Sequence, residues 1–312
     1  ESVCGHAGIE LGLLEFARMT GGEKYRRQAE LFLERRGHHV LNDIEWGRKY
    51  FQDDIPIRDA EVFRGHAVRA AYLASAAVDL GLDTGDIELV GVIEAQLAHT
   101  LAARTYLTGG MGSHYQDEAF GEDFELPADR AYSETCAAVG AFMLGWRLML
   151  ATGDARHGDL MERTLFNVIA TSPGADGTSF FYSNPLHQRT RAVLLPQDEV
   201  SPRVGPGTRA PWFVVSCCPT NVARTFASLD SYVAATSDEG ISIVLYTPGD
   251  INTTLPDGRA ISVRVDTDYP LDGDIRIQVR QSEGGPWSLR LRIPEWSRGA
   301  TVSRSGNPPE NV

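Results

Sequence analysis

The chain has 312 residues, 42% of them hydrophobic and 23% charged, a composition that supports a sizeable buried core in one large domain or two ordinary ones. Its net charge of −13 repels duplex DNA and anionic membranes on average, so neither nucleic acid nor a membrane is expected as a partner. No apolar run is read as approaching the roughly 20 residues of a membrane span.

The first residues, ESVCGHAGIELGLLEF, lack the basic start and small-residue cleavage site of a signal peptide, and the chain reads as the interior of a longer sequence. Ile9, Leu11, Leu13, Leu14, Phe16 and Ala17 then form a broad apolar helical face. TGG breaks that helix, and EKYRRQAELFLERRG follows as a more polar one. The same grammar returns at FRGHAVRAAYLASAAVDLG, DTGD and IELVGVIEAQLAHTLAA, and again at SETCAAVGAFMLGWRLMLA, TGD and ARHGDLMERTLFNVIATS. The turn threonines Thr20, Thr84 and Thr152 are 64 and 68 residues apart, a weak internal repeat of helical hairpins. Apolar helices alternating with amphipathic ones predict two concentric layers, as in a toroid of hairpins. Three hairpins and a seventh helix, TNVARTFASLDSYVAATS, are too few to close a ring of six.

Two long loops interrupt the pattern, residues 37–59 and 106–129; long loops on a helical scaffold are where function concentrates. From about residue 240 the period changes to two. GISIVLYTPG, AISVRVDTDYP, DIRIQVRQ and WSLRLRIPEW read as antiparallel strands of a sandwich, and the tail SGNPPENV reads as a turn with no closing strand. The expected fold is mainly α with a β domain: a partial (α/α)6 toroid over residues 1–236, then an incomplete antiparallel β-sandwich region over residues 237–312.

Four cysteines, Cys4, Cys136, Cys217 and Cys218, are too few for a disulfide framework, so reduced thiols and a cytoplasmic location are expected. In VVSCCPTN, Pro219 suits the first position of a helix, which would place Cys217 and Cys218 at a helix N-terminus, where the dipole favours thiolate. Adjacent thiolates repel, and a borderline cation such as Zn2+ would offset that. Glu134 and Cys136 in YSETCAAVGAF are further candidate ligands; joint ligation needs first-turn or non-helical geometry, because i and i+2 point apart on a helix. On spacing alone, inert buried thiols remain the simpler reading.

Glu118 and Glu122 lie beside aromatics in the second long loop, where a glutamate can serve as general acid or simply be solvated. His6 and His66 each follow a glycine at the start of an apolar helix. Tyr182 and Asn184 in FFYSNPL could donate to sugar hydroxyls or close a turn, and the pair His38 and His39 reads as surface loop.

Taken together, CGHAGIELGLLEFARMTGG, RGHAVRAAYL, TGGMGSHYQDEAFGEDFELPAD, YSETCA, FFYSNPL and SCCPTN resemble glycoside hydrolase family 127, the β-L-arabinofuranosidase family, over about residues 4–236. The resemblance implies an (α/α)6 barrel followed by β-sandwich domains, and retaining cleavage of β-L-arabinofuranosides. It implies a zinc site of Glu134, Cys136, Cys217 and Cys218, with Cys217 as nucleophile, Glu118 as general acid/base, and His6, His66 and Tyr182 lining the sugar pocket. Asp54 in YFQDDIP stands where members commonly carry histidine, and LPAD replaces a more usual LPND. Two rivals stay open: a non-catalytic glycan-binding toroid with a structural zinc, and an epimerase or lyase built on His6 and His66.

Overall fold

The computed structural model describes residues 2–189, 200–201, 207–282, 284–305 and 307–312. Two compact units are distinguished, Glu1–Thr152 with Leu160–Arg224, and Gly153–Asp159 with Thr225–Val312.

The first unit is built of helical hairpins. Helix α1 (Ile9–Thr20) packs on α2 (Glu23–Arg35), and α3 (Ala67–Thr84) on α4 (Ile87–Ala103); α5 (Thr135–Thr152) is followed by α6 (Ala155–Thr164) and a π-helical turn, Leu165–Ile169, that packs back on α5. Helix α3 also packs against both α1 and α5, so α1, α3 and α5 lie side by side in one layer. Burial follows: thirteen residues of α3 are buried along its length, whereas α2 buries only Ala29 and Leu33. Helix α5 is long and apolar enough to cross a membrane by length and composition, against the sequence expectation, and 72% of it is buried within the protein, as befits a core helix.

The repeated Thr-Gly turns have one physical cause. Thr20, Thr84 and Thr152 each turn their hydroxyl back to the carbonyl four residues earlier, at 2.6, 2.8 and 2.8 Å. The glycine that follows each, Gly21, Gly85 and Gly153, takes a left-handed φ of 67°, 73° and 72°. A side chain is strained there, so glycine ends the helix and reverses the chain.

The seventh helix differs from its sequence expectation. Helix α7 runs Cys217–Ala227 and gives way to a short 3-10 turn, Leu229–Tyr232. The following residues, expected as helix, form strand β1 (Ala234–Ser237), because they pair antiparallel with β2 (Gly240–Ile243) across a tight turn. In the second unit β2 also pairs with β6 (Ser288–Leu291), and this pairing is parallel; the other pairings among the described strands are antiparallel. A second sheet holds β3 (Gly249–Thr254), β4 (Ala260–Thr267) and β5 (Ile275–Ser282). Ile241 and Ile243 of β2 share one buried cluster with Ile261, Val263 and Val265 of β4, the inner faces of a sandwich. The tail is not only a turn: β8 (Glu310–Asn311) pairs with β7 (Thr301–Val302).

Candidate active site

The two ends of α5 and α7 that meet in the first unit supply the centre. Glu134 is the residue before α5 and bridges Ser183 in an isolated β-bridge, while Cys136 is the second residue of the helix. This is the first-turn geometry that the Glu-x-Cys spacing demands. Asn184 holds it in place, donating from Nδ2 to the Ser133 carbonyl at 2.8 Å and to Thr135 Oγ1 at 3.0 Å. Its amide is thus spent on closing the turn. Helix α7 begins at Cys217, so both cysteines lie in its first turn. Pro219 is the third helical residue rather than the first, still among the positions whose N–H has no partner within the helix.

These ends bring four candidate ligands together. Cys136 Sγ lies 3.3 Å from Cys218 Sγ. Glu134 Oε1 lies 3.5 Å from Cys217 Sγ and 3.9 Å from Cys218 Sγ. One ligand atom from each of Glu134, Cys136, Cys217 and Cys218 lies within 4.8 Å of the other three. Cys136 and Cys218 are buried and Cys217 is exposed. Tyr182 places its hydroxyl 3.3 Å from Cys217 Sγ.

A second cluster shares Glu134. His66, Glu118 and Glu134 each bring one atom within 4.8 Å of the other two. Glu118 Oε2 is 2.8 Å from His66 Nε2, and both side chains are 7% exposed. His66 is the residue before α3, and its height there is set by Gly65, whose φ of 67° brings the backbone so close to the Lys49 carbonyl that a Cβ would sit 1.9 Å from that oxygen. The Tyr50 ring packs edge-on against His66 at 5.5 Å, and the His6 ring lies 6.4 Å away. His6 sits in the turn before α1; burial and then the Arg69 charge lower its pKa.

The other acidic and imidazole candidates lie elsewhere. Glu122 is exposed and ion-paired with Lys49 at 3.0 Å and Arg104 at 3.5 Å; the Lys49 bond is the main cause of its lowered pKa. His39 contacts the Asp54 carbonyl, and the Asp54 carboxylate is gripped by Arg64 through both oxygens.

Residues 1–231 match the catalytic domain of the GH127 beta-L-arabinofuranosidases, and residues 240–311 match the GH127 middle domain. The chain belongs to glycoside hydrolase family 127. A GH127 beta-L-arabinofuranosidase from Geobacillus stearothermophilus T6 is 34% identical with a TM-score of 0.88, over 100% of this chain and 50% of that one. A solved GH127 beta-arabinofuranosidase is 36% identical with a TM-score of 0.85, over 96% of this chain and 44% of that one. The non-reducing end beta-L-arabinofuranosidase of Bifidobacterium longum subsp. longum is 29% identical over 97% of this chain. The chain spans about half the length of these relatives.

Within this family member, the electrostatics of the cluster test whether a cation suits it. Hydrogen bonds from Cys136 and Cys218, then from Tyr182, hold Cys217 down to about 2 against the cost of burial. Burial drives Glu134 and Cys218 up, and the hydrogen bond shared with Cys217 drives Cys136 up. The four groups alone therefore carry one charge easily and resist the rest. Glu134 Oε2 is buried and has no hydrogen-bond partner among the described residues. An orphaned carboxylate oxygen beside three sulfurs is a donor set of the kind that binds Zn2+.

Sequence reasoning missed Tyr50, Tyr72, Asn221 and Arg224. The last two carried a usable signal: Asn221 stands three and four residues after the cysteine pair and Arg224 three after Asn221, on the face that meets α5.

Proposed function

We propose that the chain carries the catalytic site of a β-L-arabinofuranosidase that works with retention, using Cys217 as nucleophile and Glu118 as general acid/base. The observation that carries this reading is the convergence on Glu134, with the three cysteines on one side and Glu118 with His66 on the other. A retaining glycosidase needs one group to attack the anomeric carbon and one to move a proton; here a sulfur replaces the second carboxylate. The names of the relatives supply the sugar: an arabinofuranose at a non-reducing end.

Glu134, Cys136, Cys217 and Cys218 would hold Zn2+, which when bound keeps the sulfurs deprotonated and offsets their charge. In the first step Glu118 gives its proton to the glycosidic oxygen, that C–O bond breaks, and Cys217 Sγ forms a bond to the anomeric carbon. In the second, the Glu118 carboxylate takes a proton from water, the water oxygen bonds to the anomeric carbon, and the C–S bond breaks to return the Cys217 thiolate. Two inversions give net retention. Tyr182, with its hydroxyl 3.3 Å from the sulfur, stabilises Cys217 as it departs. His66, bonded to Glu118, holds that carboxyl toward the cluster.

The test is covalent labelling by an electrophile built on β-L-arabinofuranose, with the adduct mapped by peptide mass spectrometry. The expected adduct is on Cys217 alone. Labelling at another residue, or undiminished hydrolysis by Cys217→Ala, overturns the assignment.

A further inference from the structure

Beyond the four candidate ligands, α7 continues as CCPTNVAR. Cys218, Asn221 and Arg224 are spaced three apart and Cys217 stands four before Asn221, so the cysteine pair flanks a stripe of the helix that carries an amide and then a guanidinium. Asn221 Nδ2 donates to Cys136 Sγ at 3.0 Å. Asn221 Oδ1 accepts from Arg224 Nε at 2.7 Å and from the Tyr72 hydroxyl at 3.5 Å. Arg224 Nη2 reaches the Tyr72 hydroxyl at 3.1 Å and the Met143 sulfur at 3.2 Å.

The direction of these bonds is chemically forced. An amide side chain offers an acceptor at one end and donors at the other, and a guanidinium can only donate. Arg224 therefore fixes which way Asn221 turns: its carbonyl must face the guanidinium, and its NH2 then falls on the Cys136 sulfur. With the amide reversed, two donors would confront each other and the carbonyl would face a sulfur lone pair.

We infer that Asn221, oriented by Arg224, is a positioning residue that donates a hydrogen bond to the Cys136 sulfur and keeps that sulfur a ligand of the metal site. The inference rests on the zinc reading given above. An N–H donor on a bound thiolate draws charge from the sulfur, which steadies the ligand and lowers its tendency to attack carbon. Among the described residues no side-chain amide meets the Cys217 sulfur, which lies beside the Tyr182 hydroxyl and Glu134 Oε1. The three sulfurs of one cluster are thus made unequal by what surrounds them.

The experiment uses the purified chain loaded with zinc or with cobalt. Zinc affinity is measured by competition with a chromophoric chelator, and the sulfur-to-cobalt charge-transfer band is recorded by absorption. Asn221→Leu removes the donor while keeping the shape, and Arg224→Ala, on an exposed residue, frees the amide to turn. Both are expected to weaken zinc about 10- to 100-fold and to move the cobalt band to lower energy, because the undressed sulfur gives up charge more readily. Arg224→Lys retains a donor and is expected to recover part of both. A cobalt band and a zinc affinity unchanged in both Asn221→Leu and Arg224→Ala overturn the inference and leave the zinc reading standing. A wild-type chain that takes up neither metal removes the zinc reading, and the inference with it.

Discussion

Glu10 and Arg36 form a salt bridge of 3.0 Å with side chains 0% and 1% exposed. The Arg36 guanidinium also donates to the Phe51 and Cys4 carbonyls, and the second Glu10 oxygen accepts from the Gly8 amide. The pair therefore ties the segment bearing His6 to α1, to the end of α2 and to the loop that carries Tyr50. Glu10→Ala leaves a guanidinium buried with only neutral acceptors, which costs about 3–5 kcal/mol. In a unit of this size about 2–4 °C is lost per kcal/mol, so the melting temperature should fall by about 6–20 °C. Circular-dichroism melts and urea titrations measure it. The double variant Glu10→Ala with Arg36→Met should recover much of the loss, because it removes the stranded charge as well as its partner. A single variant melting within about 2 °C of wild type would refute the reasoning, since it would mean that water already shares the Arg36 charge.

Three further outcomes are expected. Glu118→Gln should lower turnover about 10²- to 10⁴-fold on substrates with an alkyl leaving group, and far less on a nitrophenyl one that departs without a proton; steady-state kinetics on both substrates checks this, and equal losses would contradict a general-acid role. Cys218→Ala should lose bound zinc, read by elemental analysis of the purified chain; a full metal content would remove Cys218 from the ligand set. Gly140→Val should destabilise the first unit by about 1–3 kcal/mol, because even a Cβ at Gly140 would lie 2.9 Å from Ala71 Cβ where α5 crosses α3. Urea denaturation measures that loss, and an unchanged midpoint would show that the two helices can part.

The hairpin array was legible because its signals are local. Each Thr-Gly turn needs a hydroxyl near its own helix and a residue tolerant of positive φ, and both requirements are written in adjacent letters. The strands that were missed lack such letters. β1 follows a helix without a glycine or proline to mark the change, and its strand character comes from pairing with β2. β3, Gly249–Thr254, is polar and half exposed, so little apolar alternation marks it. The parallel register of β2 with β6 joins residues 48 positions apart, from Gly240 to Ser288, and no local pattern announces it. In the site, the cysteines and Glu134 drew notice by rarity and spacing. Asn221 and Arg224 are ordinary letters on a helix surface; only the fold reveals that the sulfur they serve belongs to Cys136, 85 residues earlier.

The adjacency of the two cysteines has a consequence that a wider spacing would not give. Neighbouring residues on a helix point about 100° apart, whereas residues three or four apart share a face. Two cysteines at helical spacing would both turn to α5 and be buried alike. As neighbours on the first turn of α7 they diverge: Cys218 is fully buried against Cys136, and Cys217 is exposed beside Tyr182. Both still reach the same oxygen of Glu134, at 3.9 and 3.5 Å. Adjacent placement thus yields one sulfur held inside and one sulfur exposed beside Tyr182, joined through a single carboxylate. Inserting a residue between them would turn Cys217 by a further 100° or so and break that division, whatever the affinity of the remaining donors for metal.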